Sequence, residues 1–448
     1  MKQNILILGA GRSSGSLISY LHTWCNNSAY SLVLADLDSN ALDRYQKSYP
    51  HITTRTLDAQ NPLDIEKSIS NAAMVISLLP ASMHPKIAKL CIKHFKNLAT
   101  ASYATEELKA LAKKAEVLGL TFLFEMGVDP GIDHMSSVQM IEKVKALGGH
   151  ILGFKSFSGA LLSPQTETGN PWKYKFTWNP RNVVLVGQNA LAQYRLNAND
   201  YYVPYMRLFK ELWHVEFDKL GTYEAYANRN SLQYNHHYGL HNLDFLVRGT
   251  LRRPGFCEAW NALVHLGATH NTTTITLEQD STIGAYFSKL LKSQTDLDSK
   301  EAFEKLLGFT ISVSAWERIV YLDLLGATPL KKGDYTPAQV LEQVLLNKWK
   351  LEERDRDMVV MYHEITYQLR GQTHRMVSRM HILGENAHKT AISSTVGLPL
   401  AMGVKLILEN KITEKGLVLP VLPHIYEPIL KELAEYQIHF SYEDQVIH

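Results

Sequence analysis

The chain has 448 residues, 45% hydrophobic and 20% charged, with 46 Lys and Arg against 44 Asp and Glu for a net charge of +2. That is an ordinary globular composition, about three domains long at ~150 residues each, and its interspersed charges exclude nucleic acid or an anionic membrane as the main partner. Cys25, Cys91 and Cys257 are widely spaced without metal-ligand spacing, so reduced thiols, a cytoplasmic compartment and no metal site are expected. No signal peptide precedes the first strand and no apolar run reaches ~18 residues, so no membrane span is expected.

Asn4-Ile-Leu-Ile-Leu-Gly9 reads as a strand buried on both faces. It runs into Gly9-Ala-Gly-Arg-Ser-Ser-Gly15 and a helical pattern with Leu17, Ile18, Leu21 and Trp24 on one side. A glycine-rich turn there lets a cofactor pyrophosphate approach the backbone and meet the helix N-terminus. The third glycine is displaced by one, to Gly15, and Ser14 takes its usual place.

Residues 31–36 form a second apolar strand ending in an acid. Asp36 lies 25 residues after Gly11, close to where an acid bonds the adenosine ribose hydroxyls. Such an acid repels a 2′-phosphate and leans the choice towards NAD over NADP, while Arg12 and Arg44 keep NADP open. A helix cap or loop acid is the competing account of Asp36, with Ser39 also suited to the cap.

A third strand, 53–57, ends at Asp58, placed to meet the adenine edge, and a helix follows from about Pro62. The fourth strand, 73–80, ends in Leu78-Leu79-Pro80, which would lie against the cofactor, and His84-Pro85 begins the next helix. Residues 97–101 are a fifth strand, followed by Ser102-Tyr103 and a helix over 105–118; 121–124 is the sixth. Six strands with intervening helices make a complete Rossmann-type doubly wound parallel sheet.

The sixth strand leads to a pivot. Glu125 and Asp129 fall on a turn, and Pro130-Gly131 redirects the chain into a helix over 135–146. Carboxylates at the carboxyl end of a strand in an open α/β sheet sit where such sheets bind ligands.

Beyond Gly148-Gly149 the texture becomes strand-like at 151–158, 174–178 and 221–226. The aromatic and cationic run Asn170-Pro-Trp-Lys-Tyr-Lys-Phe-Thr-Trp-Asn-Pro-Arg181 marks a site, an interface or an aromatic sheet face. Arg229 and the run Val247-Arg-Gly-Thr-Leu-Arg-Arg253 add cations. Residues 260–266 read as a helix, and about 280–350 as a helical insertion. Strands return at 357–364 and 373–382, followed by a helix at 392–408, a short segment at 416–420 and a helix from Glu427.

Several of these segments resemble the saccharopine dehydrogenase family, in its glutamate-forming branch. They are Glu125-Met-Gly-Val-Asp-Pro-Gly-Ile-Asp-His134, Asn170 through Trp178, Asn228-Arg-Asn-Ser231, Arg248-Gly-Thr-Leu-Arg252, Asp357-Met-Val-Val360 and Thr395-Val-Gly-Leu-Pro399. The resemblance runs in order from residue 4 to about 430. It implies a nucleotide domain (1–132), a mixed α/β substrate-binding and dimerisation domain (133–280 and 351–390), a small helical subdomain (281–350) and a C-terminal segment (391–448) returning to the nucleotide domain. A homodimer is implied as well. So is the reaction: glutamate joins 2-aminoadipate 6-semialdehyde through an imine, which a nicotinamide hydride reduces to saccharopine in lysine metabolism.

Residue by residue, the resemblance places Gly9, Ala10, Gly11, Arg12 and Ser13 on the pyrophosphate, Ala35, Asp36 and Leu37 at the ribose, and Asp58 and Ala59 at the adenine. Leu79 and Ser102 fall along the nicotinamide half, Val128, Asp129 and Pro130 where cofactor faces substrate, and Asn179 at a further cofactor contact. Ser102, Tyr103, Asp129, Arg229, Thr250, Leu251 and Arg252 resemble the substrate contacts.

The chemistry agrees with that assignment. A substrate with three carboxylates and two amines needs arginine clamps and carboxylate partners, and Arg229, Arg252, Glu125 and Asp129 supply both signs. Asp129 and Tyr103 are the candidates for proton transfer, with purely binding roles as the alternative; His84 and His134 are taken as structural. There are departures. Asp36 stands where members using NADP favour a cation, and Ser158 and Asn179 where cysteine and serine are expected in some members, so no thiol is required. Two rivals remain: an enzyme condensing another amine and semialdehyde, such as carboxynorspermidine synthase, and a nucleotide-binding scaffold without turnover.

Overall fold

The structure is a computed structural model and describes residues 2–188, 191–291 and 299–447. In chain order the first part holds β1 (Gln3–Leu8), α1 (Gly15–Asn26), β2 (Tyr30–Asp36), α2 (Ser39–Ser48), β3 (Thr53–Thr56), α3 (Pro62–Ser70) and β4 (Met74–Ser77). It continues through α4 (His84–Lys93), β5 (Asn97–Ala99), α5 (Glu106–Val117), β6 (Thr121–Leu123) and α6 (Ile132–Ala146). Next come β7 (His150–Leu162), α7 (Pro180–Val184), β8 (Ala192–Leu196), β9 (Asn199–Val203), α8 (Tyr205–Leu208), β10 (Leu212–Phe217), β11 (Gly221–Ala227), α9 (Tyr234–His237), β12 (Phe245–Arg252) and α10 (Phe256–His265). The rest is β13 (Ile275–Leu277), α11 (Ile283–Leu291), α12 (Lys300–Leu307), α13 (Val313–Leu322), β14 (Gly333–Tyr335), α14 (Pro337–Lys348), β15 (Asp357–Leu369), β16 (Gln372–Leu383), α15 (Ala391–Leu408), β17 (Gly416–Val418), α16 (Pro423–Glu435) and β18 (Ser441–Val446).

The chain divides into two compact units, residues 1–148 with 380–441, and 149–379 with 442–448. The first division therefore falls after α6, not at residue 132, because α6 packs with α16 in the first unit. Residues 281–350 belong to the second unit; 292–298 of that block, with 189–190 and 448 of the flanking blocks, lie outside the described residues.

The first unit is built on a parallel sheet of order β17-β6-β5-β4-β1-β2-β3. Continuous apolar runs make these strands, because a parallel sheet is covered on both faces. Leu6, Leu8, Val75, Leu98, Phe122 and Phe124 pack against Ile65, Ile69, Ile87, Leu108 and Ala112, all fully or almost fully buried. Each large side chain so buried contributes about 1.5–3 kcal/mol. β17 joins the open edge in register, Gly416 beside Thr121 and Val418 beside Leu123.

α15 is long and apolar enough, by length and composition, to cross a membrane, although Ser393, Ser394 and Thr395 break its apolar run. Most of it is buried within the first unit, against α1.

The second unit is organised on a mixed sheet of order β10-β11-β12-β7-β15-β16-β18, with β8 and β9 attached at β12. β12 and β7 run parallel, whereas β7 and β15 run antiparallel over most of their length. Residues 174–178, expected as a strand, pair with no sheet. Trp172, Tyr174 and Phe176 instead pack edge-on against Trp349, with Phe256 and Trp260 beside them, as a buried aromatic core.

The turn after β6 leaves no space for a side chain at Gly131. Its φ is +148°, and a Cβ there would lie 2.1 Å from the Gly127 carbonyl oxygen. Gly148 has φ +79° and open space around it. Gly131→Ala is expected to lower Tm by at least ~6 °C and Gly148→Ala by only about 2–4 °C, read by calorimetry. Equal shifts would mean that the turn accommodates a methyl group.

Candidate active site

The carboxyl ends of β1 to β6 bring most of the expected residues of the first unit to one edge. Gly9 follows β1 with φ +109°, and a Cβ there would stand 3.2 Å from the Leu78 backbone. The Ala10 N–H donates to Asp36 Oδ2 at 2.6 Å, and the Asp38 N–H donates to Asp36 Oδ1 at 2.8 Å. Asp36 is therefore a clasp on the glycine-rich turn. The cap of α2 is Asp38, which accepts from the Asn40 and Ala41 N–H groups, and not Asp36 or Ser39.

Gly11 and Arg12 are exposed and Ser13 half-buried, and a Cβ at Gly11 would meet nothing. This open backbone beside a helix N-terminus fits a dinucleotide pyrophosphate. Ala35 is buried, and Leu37 is 68% exposed. Asp58 accepts from the Gln60 N–H at 2.8 Å, next to buried Ala59, and Leu79 is half-buried against the core.

At the ends of β4, β5 and β6 the side chains form a polar chain. His84, the first residue of α4, is fully buried, with Nδ1 3.1 Å from Ser77 Oγ and Nε2 2.9 Å from Ser102 Oγ. Burial pushes its pKa down to about 4, so the ring is a neutral bridge that fixes Ser102. The Tyr103 hydroxyl donates to Asp129 Oδ1 at 2.6 Å, and both residues, like Ser102 and Val128, are half-buried. Pro130 is buried, after a cis peptide bond from Asp129.

Glu125 is turned inward. It is 4% exposed, Oε1 accepts from the Ala104 N–H at 3.1 Å, and Oε2 lies 2.8 Å from His134 Nε2. The sequence places Glu125 at a substrate ammonium; in the structure its buried carboxylate braces the loop through these two partners. Asp133 Oδ1 accepts from the Gly131 N–H at 2.6 Å and fixes the start of α6.

In the second unit Arg229 is exposed just beyond β11, with φ +44°, and its carbonyl accepts from the Gln193 N–H at 2.7 Å. Ser231, two residues on, is buried and accepts from the Arg248 N–H at 2.9 Å. Thr250 stands on β12 between Tyr226 of β11 and Ser158 of β7, and Leu251 is fully buried. Asn179 caps α7, accepting from the Asn182 N–H at 3.3 Å.

Arg252 is 4% exposed. Its Cζ lies 5.1 Å from the Tyr174 ring, 5.2 Å from Phe256 and 5.7 Å from Tyr226. Nη1 donates to Leu251 O at 3.0 Å, and Nε and the hydroxyls of Tyr174 and Tyr226 form no hydrogen bond within the described residues. Its cross-strand neighbour Glu224 accepts instead from the Gly255 and Cys257 N–H groups at the start of α10. Burial pushes Tyr226 up to about 12, so its hydroxyl is a neutral donor. A buried cation ringed by aromatic faces and unsatisfied donors is matched by an incoming carboxylate.

Sequence reasoning did not find the Ser77–His84–Ser102 bridge or the Glu125–His134 brace as parts of the site. A histidine opening a helix carries no local signal of its partners.

Two family models cover the chain: the saccharopine dehydrogenase NADP binding domain over residues 5–123, and the saccharopine dehydrogenase C-terminal domain over 127–438. The mitochondrial alpha-aminoadipic semialdehyde synthase of Rattus norvegicus is 30% identical over 99% of this chain and 48% of its own length. The chain thus spans about half the length of that relative. Saccharopine dehydrogenase [NADP(+), L-glutamate-forming] of Saccharomyces cerevisiae is 28% identical over 97% of both chains. The solved apo histidine-tagged saccharopine dehydrogenase (L-Glu forming) from Saccharomyces cerevisiae superposes with a TM-score of 0.83 at 27% identity, covering 99% of this chain and 100% of that one. With both models matched in order over nearly its whole length, the chain belongs to the saccharopine dehydrogenase family.

Proposed function

We propose that the protein is a glutamate-forming saccharopine dehydrogenase that interconverts saccharopine with glutamate and 2-aminoadipate 6-semialdehyde. Arg252 carries the assignment: a guanidinium buried among Tyr174, Tyr226 and Phe256, with no carboxylate at ion-pair distance among the described residues, suits a substrate rich in carboxylates. A polyamine product gives such a group less to bind, which weighs against the carboxynorspermidine type of enzyme.

The nicotinamide ring, when bound, takes or gives the hydride. Asp129 takes the proton of the substrate's secondary ammonium, so that the nitrogen lone pair is available as the hydride leaves the neighbouring carbon and the C=N bond forms. Tyr103, hydrogen-bonded to Asp129, passes protons as water adds to that carbon and the C–N bond breaks, releasing glutamate and the semialdehyde. His84 holds Ser102 in one orientation beside this pair. Arg252, with Arg229, holds carboxylates.

The cofactor is read as NADP. Asp36 spends an acceptor position of each oxygen on the turn, so its argument for ribose binding and for NAD weakens; exposed Arg12 lies in the turn that Asp36 clasps, and exposed Arg44 follows eight residues after Asp36. The fungal relatives named as NADP(+) enzymes support the same choice. The protein is further read as a cytoplasmic homodimer; three buried, unpaired cysteines suit a reducing compartment, and light scattering tests the dimer.

Saccharopine with NADP is expected to give a rise in absorbance at the reduced-nicotinamide band. Asp129→Asn is expected to lower kcat by roughly 10²–10⁴-fold. Arg252→Lys keeps the charge, loses the planar fork and is expected to raise the KM for saccharopine at least ~10-fold. No turnover with either cofactor, where a known enzyme works, would remove the assignment. In the same assay kcat/KM with NADP is expected to exceed that with NAD by at least ~10-fold, and Arg12→Ala to narrow the gap. A preference for NAD would return Asp36 to the ribose.

A further inference from the structure

The run Thr395-Val-Gly-Leu-Pro399 takes no part in the chemistry above. It lies inside α15, where that helix meets α1 almost backbone to backbone. A Cβ on Gly397 would stand 2.6 Å from the Leu17 nitrogen and 3.2 Å from its Cβ. One turn earlier in α15, Ser393 is 1% exposed, and its Oγ accepts from the Ser16 N–H at 3.1 Å. Ser393 Oγ also lies 3.3 Å from Ser16 Oγ, which is 3.2 Å from Ser394 Oγ. A Cβ on Gly15 would approach Ser393 Oγ to 3.3 Å.

This contact supplies something that α1 lacks locally. The first N–H groups of a helix have no partner inside it, and the residue at the cap position ordinarily offers its side chain. Ser14 holds that position and makes no such bond. Its hydroxyl donates to Gly11 O at 2.7 Å and lies 3.0 Å from the Tyr45 hydroxyl. The acceptor for Ser16 N–H comes instead from a residue 377 positions later in the chain. α15 is itself capped by Thr390, which accepts from the Ser393 N–H at 3.1 Å, so the first turns of two helices meet here. Two like-signed helix ends repel one another, and a phosphate nearby relieves that repulsion.

We infer that the first turn of α15 is a positioning element of the dinucleotide site, with Ser393 holding the first turn of α1 at the angle that aims its N–H groups at the pyrophosphate, and Gly397 permitting the approach. Ser393 is a positioning residue, acting through α1. The inference rests on reading Gly9 to Gly15 as the pyrophosphate turn.

Calorimetric titration of the full-length protein with NADPH and with 2′-AMP, which lacks the pyrophosphate, tests it. Ser393→Ala is expected to weaken NADPH about fivefold, the fold-change equivalent of one lost helix cap, and to leave 2′-AMP unchanged. With saturating cofactor kcat is expected to stay at the wild-type value while the KM for NADP rises. Ser394→Ala, which keeps the Ser16 N–H bond, is expected to behave as wild type. If Ser393→Ala does not fold, Ser393→Cys keeps the volume with a weaker acceptor, and the same direction is expected. Unchanged NADPH affinity in a folded Ser393 variant, or an equal loss for both ligands, would overturn the positioning role alone. A wild-type protein that binds neither NADPH nor NADH would overturn the reading of the turn and this inference with it.

Discussion

Gly127 donates its N–H to Pro130 O at 2.8 Å, and the Ile132 N–H returns to Gly127 O at 2.9 Å. The loop after β6 thereby closes on its own backbone, with Gly131 pressed onto Gly127. The polar groups gathered at the end of β6 hang on that closure. It presents Asp129 to Tyr103, sends Glu125 inward to His134 and starts α6. Its separate bonds are modest, each worth about 0.5–1.5 kcal/mol net, but they share one backbone path and leave the loop few alternatives.

The same economy of partners recurs around the other ionisable groups of the first unit. Asp36 holds two backbone N–H groups, Glu125 a histidine and an amide, and His84 two serine hydroxyls. Burial has pushed His84 towards neutrality. Arg252 in the second unit is the contrast. Its surroundings are aromatic and its donors are incompletely used, the pattern expected of a group completed by a ligand and not by the fold.

Much of the first unit was legible because its strands are buried on both faces and write themselves as apolar runs. β1, β2 and β4 to β6 needed only that signal, and the acids at their ends followed from the carboxyl-edge rule. β12 did not announce itself, since the buried Arg248 and Arg252 break its apolar pattern. Residues 174–178 misled for the opposite reason: alternating aromatics look like a strand, yet here they serve a cluster of rings without pairing. Glu125 shows a third limit. Its residue type and place suggested a ligand, and nothing in its local spacing pointed to the partner nine residues on, His134, against which it braces. Ser393 was out of reach altogether, because an acceptor 377 residues from its donor leaves no trace in local spacing.

β17 lies beside β6 although nearly three hundred residues separate them; the Thr121 hydroxyl reaches Glu414 O at a separation of 293. That pairing sets an order of assembly. At about 5–20 residues per second, a ribosome needs roughly 15–60 s to deliver β17 after the sixth strand has emerged. Meanwhile β6 is an open parallel edge of apolar residues, and α1 has no α15 to lean on. The second unit, drawn chiefly from the continuous stretch 149–379, is complete but for its last strand by then. The nucleotide-binding half, first to be made, therefore waits longest for its closing strand, and chaperone demand should concentrate on its waiting edge.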